Sequence, residues 1–306
     1  MSLDASPVIA LRDLTKRYGR TVAVRGLTLE VRTGETFGFL GLNGAGKTTT
    51  IRILLDLLRP NAGRASVLGR DCQSEGLAVR AAIGYLPGEI TFYQDMTGRQ
   101  VLDLLGRLSA RPVSPGYQRQ LLDRFQLAPS ELDRRLREYS SGMKRKLGIV
   151  QAFQADPPLL ILDEPTEGLD PLMQEAFYAL LADVRSRGRT VFMSSHVLSE
   201  VERICDRIGV LRKGELALIA SVEEVRHLAP RRVQVIFAGD VPPPGSSPLA
   251  PGAELRSVQP RCWSFSVRGP LGPLLRRVSS MPVADLKVEE PRLEDVVIDY
   301  YRETAP

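Results

Sequence analysis

The sequence predicts an α/β fold that is followed by a small carboxyl-terminal α+β domain. The apolar segment at residues 35–40 leads directly into a glycine-rich turn, and apolar residues then recur at helical spacing until Pro60. Two further apolar runs, at 159–162 and 190–193, flank a predicted helix at 171–187. This alternation of short apolar strands and helices is typical of a largely parallel, buried sheet.

The other segments of the first part are also assigned from their apolar pattern. Residues 8–14 and 22–31 are predicted to be strands that precede the glycine-rich turn. The region from Thr97 to about Ala155 carries apolar stripes at helical spacing, interrupted by prolines, and is predicted to be almost wholly helical. We therefore expect a helical subdomain at about residues 90–155.

The sequence changes character near its last quarter, so that we expect one domain at 5–229 and a second at 230–306. The length of the second part suffices for a small α+β domain. Its predicted elements are strands at 233–237, 263–267 and 283–288, helices at 271–278 and 293–301, and a proline-rich loop at 242–248.

Composition and charge place the chain among ordinary soluble globular proteins. Of its 306 residues, 43% are hydrophobic and 25% are charged, so a disordered or fibrous protein is not indicated. The net charge of +5 is small for this length, and basic and acidic residues alternate along most of the chain. Because no polybasic tract is present in the sequence, we expect no nucleic-acid partner.

The cysteines and the apolar runs indicate a reducing, cytoplasmic location. Cys72, Cys205 and Cys262 are far apart and form no CxxC pair, which argues against a disulfide framework. With only two histidines, a structural zinc site has too few ligands. No signal peptide is visible, and no apolar run approaches the roughly 18 residues that span a bilayer. If the protein acts at a membrane, another chain is expected to cross it.

The glycine-rich turn at residues 41–48 reads GLNGAGKT and satisfies the pattern GxxxxGK[ST]. Its glycines let successive backbone N–H groups approach phosphate oxygens, and the following helix presents its positive end to the same anion. Lys47 is expected to reach the β- and γ-phosphates, and Thr48 is expected to bind Mg²⁺. The segment therefore predicts binding of Mg-ATP.

Two adjacent carboxylates end the apolar strand at 159–162. Asp163 is placed to hold Mg²⁺, either directly or through water, and Glu164 is the candidate general base that polarises the attacking water. Taken alone, an apolar run that ends in Asp-Glu is more often only a strand end. In a chain with a complete phosphate loop, we favour the catalytic interpretation.

Three further segments narrow the kind of ATPase. Ser140, Ser141 and Gly142 open a predicted helix and could donate hydrogen bonds to a γ-phosphate, although an ordinary helix N-cap explains a serine there equally well. Asp170 immediately precedes the next helix. His196 follows the strand at 190–193, where a γ-phosphate sensor is expected, although a single histidine is usually structural.

Taken in order, these segments resemble the ATP-binding subunit of an ABC transporter, over about residues 8–227. The resemblance implies a P-loop ATPase core with an antiparallel β-subdomain and a helical subdomain. It identifies 41–48 as the Walker A loop, Asp163 with Glu164 as the end of Walker B, 140–143 as the signature motif and 168–170 as the D-loop.

The resemblance also implies a role for individual residues. His196 matches the switch histidine, and Tyr18 matches the aromatic residue that stacks on adenine, the alternative being a tyrosine of the core. Glu164, His196 and Lys47 are expected to take part in ATP hydrolysis, and Thr48 and Asp163 to hold Mg²⁺. The expected nucleotide contacts are Tyr18, Gly41, Asn43, Gly44, Ala45, Gly46, Lys47, Thr48, Thr49, Ser140, Ser141, Gly142 and Asp170.

Two departures from the family pattern bear on mechanism and subgroup. The family normally has Gln after Leu-Pro where this chain has Gly88 and Glu89, so Glu89 or a water molecule is left to replace that side chain and turnover could be slower. The signature reads Ser-Ser-Gly-Met, a form similar to that of bacterial multidrug-export ATPases related to daunorubicin-resistance proteins. The ending at 290–297 is also similar to theirs.

The expected partners follow from the same resemblance. We expect a head-to-tail homodimer of ATPase subunits that powers transport, and more specifically export, through a separate integral-membrane permease at the inner face of the cell membrane. Two alternatives remain: an ABC ATPase that acts on nucleic acid or ribosomes, and an ATP-binding module with weak turnover. The second domain could serve as a dimer contact, in regulation or in permease docking.

Overall fold

The computed structural model describes residues 7–228, 230–241, 250–289 and 293–302. The chain divides into two compact units, Met1–Ile219 and Ala220–Pro306. The division lies before the predicted boundary at 229/230, because the helix Val222–Leu228 packs against the last helix of the chain, Leu293–Arg302. None of the helices in the described ranges combines the length and apolar character that a membrane span requires.

The first unit is built from alternating strands and helices. In chain order these elements are β1 (Ile9–Tyr18), β2 (Thr21–Val31), β3 (Thr36–Leu40), α1 (Lys47–Leu54), β4 (Ala62–Val67), β5 (Arg70–Asp71), α2 (Gly76–Ala82), β6 (Ile83–Leu86), α3 (Gly98–Leu108), α4 (Pro115–Arg124), α5 (Pro129–Leu132), a 3₁₀ turn (Leu136–Glu138), α6 (Ser141–Phe153), β7 (Leu159–Asp163), α7 (Pro171–Ser186), β8 (Thr190–Ser195), α8 (Leu198–Ile204), β9 (Arg207–Arg212) and β10 (Glu215–Ser221).

The central sheet of the first unit has the strand order β10-β9-β3-β8-β7-β6. Strand β3 pairs in parallel with β8 and β9, and β7 pairs in parallel with β8 and β6. All residues of β3, β7 and β8 are buried, which explains their continuous apolar runs. Leu40 aligns with Ser195, and Asp163 aligns with Ser194. The carboxyl ends of these three strands therefore lie side by side.

Three buried phenylalanines pack against one another within this sheet. The ring of Phe192 stacks on Phe37 with a centroid distance of 5.9 Å, and it lies 5.3 Å from the ring of Phe39. Each such pair contributes about 0.5–1.5 kcal/mol beyond the burial of its area. Because Phe37 and Phe39 lie in β3 and Phe192 in β8, the rings fix the two strands that lead into the predicted site.

The expected antiparallel β-subdomain and helical subdomain are both present. A four-stranded antiparallel sheet has the order β2-β1-β4-β5. Helices α3, α4, α5 and α6 occupy the region that the sequence predicts to be helical. The start of α3 is set by a capping box, in which the Thr97 side chain accepts from Gln100 N at 3.2 Å and the Gln100 side chain accepts from Thr97 N at 2.9 Å.

The second unit has an α+β fold with its own core. Its sheet is antiparallel, with the order β12-β13-β11-β14, and Trp263 is fully buried beside Phe237 at a centroid distance of 4.8 Å. The predicted loop at 242–248 lies outside the described residues. The elements are α9 (Val222–Leu228), β11 (Arg231–Phe237), β12 (Ala253–Gln259), β13 (Cys262–Val267), α10 (Gly272–Val278), β14 (Val283–Glu289) and α11 (Leu293–Arg302).

Strand β12 was not predicted from the sequence, for a physical reason. It lies at an edge of its sheet, and only Ala253 among its residues is buried. The alternation of apolar and polar residues that marks a half-buried strand is therefore missing. Strand β12 is specified by its pairing with β13, a tertiary contact that the local pattern does not encode.

The three cysteines differ in accessibility, which leads to a testable expectation. Burial, reinforced by the charges of Asp71 and Asp56, raises the pKa of Cys72 to about 12, and burial also raises the pKa of Cys205. Cys262 is partly exposed. Because the thiolate is the reactive form, we expect a maleimide or disulfide reagent at pH 7.5 to modify one thiol per native chain and three after unfolding. Rapid modification of two or three thiols in the folded protein would contradict this assignment.

Candidate functional site

The glycine-rich segment at residues 41–48 connects the end of β3 to the start of α1. Gly44 and Gly46 have φ angles of 80° and 110°, which L side chains rarely adopt. A Cβ atom at Gly46 would lie 2.4 Å from the carbonyl oxygen of Ala23, so only glycine fits there. Without side chains at these positions, the backbone N–H groups at the start of α1 remain available to an anion.

Lys47 is the first residue of α1, and its side chain is only 6% exposed. Its ammonium group donates to the carbonyl oxygen of Gly41 at 2.6 Å and lies 3.4 Å from Oε1 of Glu164. These contacts hold the cation beside the loop and beside the end of β7. A buried cation in this position fits a ligand with several negative charges, because burial strengthens the attraction.

Thr48, Asp163 and Ser194 meet where β7 and β8 end. The Thr48 hydroxyl donates to Oδ2 of Asp163 at 3.0 Å, and the Ser194 hydroxyl donates to Oδ1 of the same carboxylate. Hydroxyl and carboxylate oxygens are the ligands that Mg²⁺ prefers. No group of three or more His, Cys, Asp or Glu side chains is arranged to hold a metal in the described ranges. The set therefore fits an ion that takes its remaining ligands from water and phosphate, as Mg²⁺ commonly does.

Glu164 is held between a lysine and a histidine. Its Oε2 atom lies 2.8 Å from Nδ1 of His196 and accepts from the His196 backbone N–H at 3.3 Å, while Oε1 faces Lys47. Its φ angle is 47°, a left-handed conformation that is unfavourable for a residue with a side chain. The strand ends thus hold one carboxylate in a strained, well-defined position next to two nitrogen-bearing side chains.

A cavity of about 530 Å³ opens above these groups. Arg52 and Tyr85 line it but were not predicted from the sequence, because neither lies in a recognisable motif. Burial, with a contribution from the charge of Asp163, raises the pKa of Tyr85 to about 12 against the opposing charge of Arg52, so its phenol stays protonated. The lining comprises Ala23, Leu42, Asn43, Gly44, Ala45, Gly46, Lys47, Thr48, Thr49, Arg52, Tyr85, Pro87, Gly88, Glu89, Thr91, Asp163 and Glu164.

Comparison with known proteins identifies the family. The ABC transporter family model matches residues 24–167. The chain is 38% identical over 224 residues to a daunorubicin resistance ATP-binding protein of Streptomyces coeruleorubidus, a match that covers 72% of this chain and 71% of that protein. The chain belongs to the ABC transporter ATP-binding proteins. It is also 37% identical over 208 residues to the Nod factor export ATP-binding protein I of Burkholderia lata, with 67% of this chain and 68% of that protein covered.

The solved structures agree with the fold of this ABC ATPase. A solved ATP-binding subunit of an ABC transporter superposes with a TM-score of 0.67 at 30% identity and covers 72% of this chain and 92% of that one.

The ATP-binding cassette sub-family A member 7 of Mus musculus is 33% identical over 97% of this chain, which amounts to 14% of that protein. The similarity to the mouse protein therefore extends into the second unit.

Several residues expected to contact the nucleotide do not line the cavity in the described part of this ABC protein. Tyr18, at the end of β1, is 47% exposed, with the ammonium of Lys16 5.3 Å from its ring centroid. Ser140 caps α6, accepting from Met143 N at 3.2 Å, and Asp170 caps α7. The other expected contacts outside the lining are Ser141, Gly142, His196 and Gly41, whose carbonyl oxygen accepts from Lys47.

The segment that follows β6 approaches Asp163 without offering a side chain at the usual position. A Cβ atom at Gly88 would lie 3.4 Å from Oδ2 of Asp163, so position 88 adjoins the predicted metal ligand. Glu89 lines the cavity. The Gln that the family normally carries would therefore lie close to the predicted metal ligand Asp163, and this chain has no side chain at that position.

Arg145 connects this segment to helix α6 and was not predicted as a site residue. Its guanidinium donates to the carbonyl oxygens of Pro87 at 3.0 Å, Gly88 at 2.7 Å and Glu167 at 2.9 Å. Burial lowers its pKa, partly offset by the nearby carboxylates. In the sequence it is the middle one of three consecutive basic residues in a predicted helix, and only the packing of α6 reveals its contacts.

Proposed function

We propose that this ABC protein binds and hydrolyses Mg-ATP to power transport of a substrate through a separate membrane permease. The observation that carries the proposal is the Glu164 carboxylate, fixed between Lys47 and His196 at the edge of the phosphate loop. A base beside a cationic phosphate cradle is what hydrolysis of a terminal phosphate requires, because catalysis rests on positioning and charge stabilisation.

The nucleotide would be held mainly by the loop between β3 and α1. Lys47 and the backbone N–H groups at the start of α1 would bind the β- and γ-phosphates. Thr48 and Asp163 would hold Mg²⁺, which supplies charge neutralisation to the phosphates when bound. Arg52 and Glu89, which line the same cavity, would lie close to the nucleotide.

Glu164 would orient and deprotonate the attacking water. Its other neighbour, His196, would contact the γ-phosphate as the switch histidine. In this structure His196 binds the carboxylate itself through Nδ1. Hydrogen bonding of this kind fixes the rotamer of Glu164, so the base is oriented before the water arrives.

A homodimer would complete the site. Ser140, Ser141, Gly142 and Asp170 are expected nucleotide contacts but do not line the cavity of their own chain within the described residues. In a head-to-tail dimer, the signature segment of one copy would close on the nucleotide bound to the loop of the other. ATP would then act as an interface ligand that shifts an open–closed equilibrium.

Export is the direction of transport that the relatives support. Two similar proteins are described as a daunorubicin resistance and a Nod factor export ATP-binding protein. We infer that the chain binds a permease at the inner face of the cell membrane. The predicted second domain, 230–306, is a candidate for dimer contact or regulation.

One observation favours a second candidate function, an ATP-binding module with weak turnover. Gly88 adjoins Asp163 but has no side chain with which to orient water or ligate a metal. If Glu89 does not replace it, the chain would bind ATP and dimerise while hydrolysing slowly.

The test is steady-state phosphate release by the full chain, alone and with a candidate permease, taken as a membrane protein that a neighbouring gene encodes. We expect Mg²⁺-dependent turnover that the membrane protein stimulates, because closure of the dimer would be coupled to the permease. Lys47→Ala serves as the inactive control. Tight ATP binding with no phosphate release in either condition would favour the module with weak turnover. Stimulation by nucleic acid instead of the membrane protein would contradict the transport function.

A further inference from the structure

Glu200 carries a buried carboxylate near Glu164 and His196, and the proposed mechanism gives it no role. Glu200 is in the first turn of α8 and is 8% exposed. Its Oε2 atom accepts from the hydroxyl of Thr166 at 2.8 Å and lies 3.5 Å from the hydroxyl oxygen of Ser195, which is also 3.5 Å from the carbonyl oxygen of Val197. Burial of a carboxylate costs folding free energy unless its oxygens are hydrogen bonded. The contact with Thr166 is therefore needed to keep Glu200 buried.

A third hydroxyl completes the surroundings of Glu200. The phenol of Tyr178 in α7 faces Glu200, and burial together with the charge of Glu200 raises the pKa of Tyr178 to about 12. The phenol therefore remains a hydrogen-bond donor at any physiological pH. Tyr178 is itself covered by the guanidinium of Arg203, 4.5 Å from its ring centroid. Glu200 is thus fixed from the α7 side as well.

The contact with Thr166 fixes the turn in which Glu164 lies. Glu167 N donates to the carbonyl oxygen of Glu164 at 3.2 Å, which closes a turn that contains Thr166. Glu164 opens this turn with its unfavourable φ of 47°, a conformation that persists only when surrounding contacts enforce it. The hydrogen bond from Thr166 to Glu200 is one of these contacts.

The contact with Ser195 places Glu200 next to the backbone of His196. Ser195 immediately precedes His196, and its hydroxyl accepts from the backbone N–H of Val197 at 2.9 Å. One serine side chain therefore bridges the backbone on both sides of His196. Since the same Glu200 oxygen faces Ser195 and Thr166, a single carboxylate joins the end of β8 to the turn after β7.

We propose that Glu200 is a positioning residue, which holds the Glu164 turn and the His196 backbone in the relative placement needed for hydrolysis. This inference rests on the proposed function. Glu200 touches neither the cavity lining nor the predicted phosphate and metal ligands among the described residues. Its loss is therefore expected to misplace the base while leaving the nucleotide-binding loop intact.

The test compares Glu200→Ala and Glu200→Gln in the full chain, measuring kcat, KM and the Kd for Mg-ATP. We expect Glu200→Ala to lower kcat about 10–100-fold, because small misplacements of a reacting group have effects of this size. The Kd for Mg-ATP should stay within about threefold, since the groups that bind phosphate are unchanged. Glu200→Gln keeps an acceptor oxygen for Thr166 and should recover most of the lost kcat.

A matched pair at the partner residue keeps the inference testable if Glu200→Ala folds poorly. Thr166→Val removes the hydroxyl at nearly constant volume and should lower kcat, whereas Thr166→Ser retains it and should not. Thr166→Val combined with Glu200→Ala should be no slower than Glu200→Ala alone, because Glu200→Ala already removes the hydrogen bond between Thr166 and Glu200. Ser199→Ala, at an exposed position of α8, is the control that should behave as wild type.

The outcomes separate this inference from the proposed function. Absence of phosphate release by the wild-type chain, with its membrane partner present, would overturn both. Wild-type turnover with unchanged kcat in Glu200→Ala and Thr166→Val would overturn the positioning role alone. Equal losses of kcat and ATP affinity, with a lowered Tm, would also overturn it, because they would indicate a general structural defect.

Discussion

Glu164→Gln is expected to bind Mg-ATP with nearly wild-type affinity and to lose turnover by about 10²–10⁴-fold, the usual contribution of a general base. The substitution removes the negative charge that faces Lys47 and His196 and with it the basicity of the carboxylate, yet it keeps the shape of the side chain and one acceptor oxygen. Because the nucleotide would persist at the dimer interface, the variant should accumulate as a dimer. Phosphate release and gel filtration with Mg-ATP measure the two effects.

Glu89→Gln is the comparison that identifies the base. Glu89 lines the same cavity and is the other carboxylate available beside the metal site. We expect Glu89→Gln to retain much of the turnover and to show no trapped dimer. If Glu89→Gln abolished hydrolysis while Glu164→Gln preserved it, the base would have been assigned to the wrong residue. A Glu164→Gln protein that remains monomeric with Mg-ATP would contradict the dimer mechanism.

Lys47→Ala is expected to weaken Mg-ATP binding by about 10–100-fold, because a hydrogen bond to a charged group contributes about 1.5–3 kcal/mol. Hydrolysis should fall below detection, because the variant also lacks the charge that would stabilise the γ-phosphate in the transition state. The Lys47 ammonium is buried, so its removal also leaves the Gly41 carbonyl and the Glu164 carboxylate without their cation. Isothermal titration calorimetry with Mg-ATP measures the affinity. It compares Glu164→Gln with Glu164→Gln that also carries Lys47→Ala, so that ATP is not hydrolysed during the titration.

Lys287→Ala provides the matched control for this charge change. Lys287 is exposed in β14 of the second unit, so the same substitution there should leave Mg-ATP affinity unchanged. Equal affinity of Lys47→Ala and wild type would mean that the phosphate loop is not the nucleotide site. A loss of affinity in both variants would point instead to a non-specific effect of net charge.

Local patterns predicted most of the fold correctly. The buried strands β3, β7 and β8 were predicted because continuous apolar runs fill a sheet that is covered on both faces. The edge strand β12 was missed because its residues are mostly exposed and lack alternation. Strands β9 and β10 were also not predicted, although the apolar run at 208–211 in β9 is buried like those of the neighbouring inner strands.

The candidate site shows the same division. Residues 41–48 could be predicted as a phosphate loop because the chemistry lies within one short segment, where glycine conformations and the start of α1 are set locally. Arg145 and Glu200 could not be predicted, since each acts through contacts with segments distant in the chain. As charged residues, Arg145 and Glu200 are expected at the solvated surface. The structure shows that both are buried.

The sequence by itself determined the phosphate loop, the carboxylates that end β7 and the family to which the chain belongs, because each depends on residue types at short, fixed spacing. The tertiary structure alone decided which strand ends meet: parallel pairing places Asp163 beside Ser194 and brings His196 to Glu164. These contacts join residues about thirty positions apart, and no local preference specifies them. They arise because burial of the apolar strands fixes the order and register of the central sheet.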